Sequence, residues 1–185
     1  MKKGLLWMSQ GMLVGLIMAC IVVPMLTLSV SAYSLESFHL KSKSASFVWG
    51  DRIDTPGSVI RNAWESAISD WASASSCDFY SSSNSVNELN SFYESSSSLY
   101  GRTKLTYDIT TDAIYIASFE AKINAGNSSI SRSNVARSTA NHEFGHLLGI
   151  NDLSSGTAIM NTNRERSTIY IPQTDDINGV AAVYG

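Results

Sequence analysis

The sequence predicts a single α+β domain behind an N-terminal leader. Strand-like segments precede and separate two long stretches of helical periodicity. A polar loop and a third helical stretch close the chain. At 185 residues the chain is long enough for one domain and hardly two.

Residues 1–32 read as a secretory signal peptide. Met1-Lys2-Lys3 is a short basic start, and Gly4 to Val30 is uncharged and mostly apolar. Val30-Ser31-Ala32 supplies the small residues of a signal-peptidase site, with the cut after Ala32. A retained membrane anchor is the alternative, because the apolar run is long enough to span a bilayer. The domain is then 33–185, enough to bury a core without cross-links. Lys2 and Lys3 belong to the leader, so 11 of the 13 basic residues face 16 acidic ones, a net charge of −5. No basic cluster marks a nucleic-acid surface. Cys20 lies in the leader, which leaves Cys77 alone and without a disulfide; it reads as a packed, unreactive thiol.

In the domain, alternation of Phe38, Leu40, Phe47 and Trp49 with polar residues predicts a first strand over 38–49. Thr55 is the expected cap of a helix that opens with Pro56. Val59, Ile60, Ala63, Trp64, Ala67, Ile68 and Trp71 carry that helix at core spacing to about Ser73. A short strand is expected near 77–80. The serine-dominated stretch that follows, to Ser98, reads as solvated loop. β-branched and aromatic content predicts strands over 104–108 and 113–124. A second long helix runs from Asn134 to about Leu148 and ends on Gly149. Ala136, Ala140, Phe144 and Leu147 form its core stripe, and Val135, Thr139, His142 and His146 form another. A last helix over 173–184 has Thr174 as cap and Asp175 and Asp176 as first-turn acids.

Chemistry concentrates in His142-Glu143-Phe144-Gly145-His146-Leu147-Leu148-Gly149-Ile150-Asn151-Asp152, which reads H-E-x-x-H-x-x-G-x-x-D. Residues four apart share a helix face, so both imidazoles can bind one metal ion. Glu143 stays near enough to handle a proton of an activated water. A catalytic zinc takes three protein ligands. Asp152 is the favoured third ligand, because Gly149 lets the chain turn back toward the metal. Glu165 is the rival. His39, the chain's only other histidine, lies far away in the first strand.

This motif resembles the extended signature of the metzincin zinc peptidases, whose later methionine turn corresponds to Ala158-Ile159-Met160-Asn161. Gln173-Thr174-Asp175-Asp176-Ile177-Asn178-Gly179-Val180, with Tyr184-Gly185, is similar to the last helix of the matrixin branch. The resemblance covers about the last 50 residues. It implies a twisted, mostly parallel sheet on two long helices, with a small C-terminal subdomain carrying the methionine turn. It implies His142, His146 and Asp152 as zinc ligands, Glu143 as catalytic carboxylate and Met160 as the floor beneath them. It also implies that an extended substrate pairs with the strand just before the metal helix, within Ala113 to Asn124. Asp152 stands where most matrixins have histidine. The histidines for a second, structural zinc are missing, and a structural calcium is not indicated. No cysteine-bearing inhibitory prosegment is evident.

The expected function is a secreted, monomeric zinc metalloendopeptidase acting on extracellular proteins or peptides, without nucleic acid and with a membrane only if the leader is retained. Its specificity is expected from the loop after Met160, with Tyr170. Two alternatives stay open. One is a non-catalytic secreted zinc-binding domain. The other is a gluzincin-type peptidase with Glu165 as third ligand.

Overall fold

A computed structural model describes residues 33–53 and 57–185. The leader, and the Thr55 and Pro56 expected to open the first helix, lie outside the described residues. Two short strands replace the expected single one: β1 (Phe38–His39) and β2 (Ser44–Trp49). Helix α1 (Val59–Ser75) starts later than Thr55, with Ser58 as its cap, whose hydroxyl accepts from the Arg61 amide at 3.1 Å. Next come β3 (Asp78–Ser81), β4 (Glu88–Phe92), β5 (Gly101–Ile109) and β6 (Ile114–Asn124). A 3₁₀ turn at Ser128–Ser131 leads into α2 (Ser133–Leu147), and α3 (Thr174–Tyr184) ends the chain.

The sheet is mostly parallel. β3, β2, β4 and β6 lie side by side in parallel, β1 adds two parallel residues to β6, and β5 runs antiparallel along β6. β4 is the correction to the serine-rich reading: this segment is an interior strand with Leu89, Asn90 and Ser91 buried. Its polar residues are satisfied by distant groups, which a local pattern does not reveal. The Asn90 amide oxygen accepts from the Arg52 and Ser91 amides, and its nitrogen donates to Asp51 at 3.2 Å.

The two long helices pack on each other and on the sheet. Trp64 and Trp71 are fully buried, as their spacing predicts, and their indole N–H groups donate to the carbonyls of Asn90 (3.2 Å) and Asn141 (3.1 Å). A buried indole needs such a partner. They tie α1 to β4 and to the middle of α2. Asp70 adds a second tie, accepting from Arg137 Nε at 2.8 Å and Asn141 Nδ2 at 2.7 Å. The core stripe of α2 (Ala136, Ala140, Phe144 and Leu147) is wholly buried. Cys77 is also buried, and burial pushes its thiol up to about 11, which suits an inert packing residue.

The last helix is capped by Gln173, one residue earlier than Thr174. Gln173 and Asp176 form a reciprocal capping box. Asp176 is only 1% exposed because it does more than cap. Its carboxylate accepts from the amides of Ile159 (2.7 Å), Met160 (3.2 Å) and Gln173 (2.7 Å). The start of α3 thus pins the turn that carries Met160.

Candidate metal centre

Helix α2 delivers His142 and His146 from consecutive turns into a cleft of about 650 Å³. The chain leaves the helix at Gly149, whose φ of +85° is left-handed and costs little only for glycine. A Cβ there would also meet His39 Cβ at 2.9 Å. After this reversal Asp152 returns to the histidines. Its Oδ1 is 3.2 Å from His142 Nε2 and 3.7 Å from His146 Nε2. Nitrogen and oxygen donors of all three residues lie within 4.8 Å of one another. Two imidazoles and one carboxylate form the donor set that suits zinc, with a coordination position to spare.

The surroundings set the tautomers and charges. His142 Nδ1 lies 3.1 Å from the Ile159 carbonyl and 3.3 Å from Arg164 Nη1. A proton on Nδ1, donated to Ile159, leaves the Nε2 lone pair free for a metal. Burial lowers the pKa of both histidines, which keeps them neutral as ligation requires. The close contact with His142, with His146 and Arg164 nearby, holds Asp152 below the usual carboxylate range. Burial raises Glu143, against the opposing pull of His146 and of the Thr103 hydroxyl, which donates to its Oε2 at 2.7 Å.

The other two candidate ligands go elsewhere. Glu165 is exposed and accepts from the backbone and hydroxyl of Ser167, at 3.0 and 2.8 Å. His39 stacks edge-on between Tyr115 and Tyr184.

The structure adds residues that no local pattern marked. Thr103 fixes Glu143 from β5. Glu36 brings its Oε1 to 3.9 Å from His146 Nδ1. It arrives on an N-terminal segment paired with the turn after α2: Glu36 N–H donates to Gly149 O at 2.9 Å and Asn151 N–H to Ser34 O at 2.8 Å. Arg164 is buried and joins the segment after Met160 to α2, donating to the Ser138 hydroxyl and carbonyl, both at 2.9 Å. Burial holds its guanidinium down at about 9.

Met160 is fully buried against the metal helix. A Cβ on Gly145 would come within 2.2 Å of its sulfur, so the helix approaches Met160 at a residue without a side chain. Gly145→Ala gains helix propensity, about 1 kcal/mol at most. The added methyl must displace the thioether in a filled core, which costs about 1–3 kcal/mol. We expect a net loss and a melting temperature several degrees lower; a variant melting at or above the parent contradicts this packing.

The open sheet edge is on β5, which corrects the strand expected to receive substrate. β6 has β5 on one side and β1 and β4 on the other, so Ala113 to Asn124 offers no free edge at the cleft. β5 pairs only with β6 among the described residues, and its Gly101, Thr103, Leu105 and Tyr107 line the cleft. The wall formed by the segment after Met160 contains Thr162, Arg164 and Arg166. Tyr170 is not part of that wall; its ring lies 5.2 Å from the Arg137 guanidinium.

The family model for matrixin, a peptidase family, matches residues 46–185. Among solved structures, a chain of one titled "GM1 bound form of the ECX AB5 holotoxin" aligns with a TM-score of 0.53 and 14% identity, covering 82% of this chain and 86% of that one. At that identity the likeness is one of fold alone.

Proposed function

Because the chain belongs to the matrixin family, whose members are zinc metallopeptidases, we propose that it is a secreted zinc-dependent endopeptidase whose zinc is held by His142, His146 and Asp152. The observation that carries this reading is the convergence of those three donors within 4.8 Å beside a buried glutamate. Zinc bound there supplies Lewis acidity, polarising the scissile carbonyl and lowering the pKa of an attacking water.

The chain's own groups do the rest. Glu143 takes the water's proton and passes it to the leaving amine. Thr103 holds the Glu143 carboxylate in one orientation, and burial raises its proton affinity. The open edge of β5 offers backbone donors and acceptors to an extended peptide. Ala158-Ile159-Met160-Asn161 serves as the methionine turn, with Met160 as floor under the histidines. Residues 1–32 serve as a cleaved leader.

The protein collected from culture medium is expected to begin at Tyr33 by mass, to carry about one zinc per chain, and to hydrolyse casein until a chelator removes the metal. Casein hydrolysis that persists in the fully zinc-depleted protein refutes the metallopeptidase reading.

A further inference from the structure

The segment after Met160 brings two arginines into the cleft wall next to Glu143. Neither forms an ion pair among the described residues, and their roles differ. Arg164 spends its donors inside the protein, on Ser138 and on the Asn161 carbonyl at 3.0 Å. Arg166 does not. Its guanidinium lies 4.0 Å over the Tyr100 ring, which fixes its plane, and Nη2 donates to the Thr162 carbonyl at 3.1 Å. Its Nε is shielded from solvent and has no hydrogen-bond partner. A guanidinium has five donors in a rigid fork whose natural complement is a carboxylate.

The acids nearby do not supply that carboxylate. Glu143 is bound to Thr103, Asp152 faces the two histidines, and Glu165 turns to Ser167. None of them forms an ion pair or hydrogen bond with Arg166 among the described residues, although Glu165 and Glu143 act on its charge through space within the same cleft.

We propose that Arg166 selects a substrate with an acidic side chain at a residue flanking the scissile bond. The inference rests on the peptidase reading and extends it to a substrate class. A glutamate or aspartate side chain entering between Tyr100 and Thr162 would complete the open face of Arg166. A glutamine of the same shape would leave the charge unanswered. Charge-assisted hydrogen bonds of this kind separate the two by about tenfold or more.

The test is a peptide library on the zinc-loaded protein, with Glu, Gln, Leu and Lys varied at both positions flanking the cleaved bond. Glu should exceed Gln at one of them by about tenfold or more in kcat/KM, chiefly through KM. Arg166→Gln should bring that ratio near one, Arg166→Lys should retain part of it, and Arg166→Glu should turn the preference toward Lys. Turnover with Leu or Gln favoured at both positions overturns this inference and leaves the peptidase reading standing. So does a Glu/Gln ratio unchanged in Arg166→Gln. Failure to cleave any peptide or casein overturns both.

Discussion

Replacing Glu143 by glutamine should all but eliminate peptide hydrolysis and leave zinc in place. The carboxylate lines the cleft beside the histidine pair, and it is not one of the three converging donors. General-base catalysis alone contributes about 10²–10⁴-fold, so kcat should fall by about a thousandfold while zinc per chain is unchanged. Casein hydrolysis at parental rate by the zinc-loaded variant would sink the assignment. The same substitution should not weaken the fold. Burial raises the pKa of Glu143, so its ionised form is a stability cost at every pH above the unfolded value, and a neutral amide removes that cost. The variant should melt at or above the parental temperature while being inactive.

Asp152→Ala removes the third donor, and zinc affinity should drop by more than the 10–100-fold typical of losing an outer-shell partner. Two imidazoles remain, a set too small for a stable catalytic zinc site. Glu165→Ala should leave affinity unchanged, since that carboxylate points to Ser167 and away from the cluster. Competition with a fluorescent chelator measures both. Equal affinities for Asp152→Ala and the parent would remove Asp152 from the site.

Much of this site was legible because it is local. His142 and His146 are one helical turn apart, Gly149 ends the helix, and Asp152 follows within three residues. The two long helices were also readable, because Trp64, Trp71, Ala140 and Phe144 recur at helical spacing and are buried accordingly, whereas the mostly parallel sheet was implied only by the resemblance to the metzincins. The misses are all matters of long range. β4 is hidden because Asn90 and Ser91 look like loop residues until Asp51 and Arg52 are placed beside them. The free edge belongs to β5 and not β6 because strand order is a property of topology, to which periodicity is blind. Thr103, Glu36 and Arg164 reach the centre from separate segments, and no spacing in the sequence connects them to it.

The pairing of Ser34–Glu36 with Gly149–Asn151 has a consequence for how the centre forms. It closes a loop of more than a hundred residues with two backbone hydrogen bonds, joined by a third from the Leu40 N–H to Leu147 O at 3.2 Å. A contact of such long range gains little until the intervening chain has folded, and so few bonds make it an early place to open. The helix can present its histidines on its own, but the turn that aims Asp152 is held from outside by Ser34 and Glu36. Affinity for the proposed metal and the freedom of the Ser34–Glu36 segment should therefore be one coupled quantity: drawing Ser34 away should loosen Asp152, and a metal that fastens Asp152 should draw the segment in.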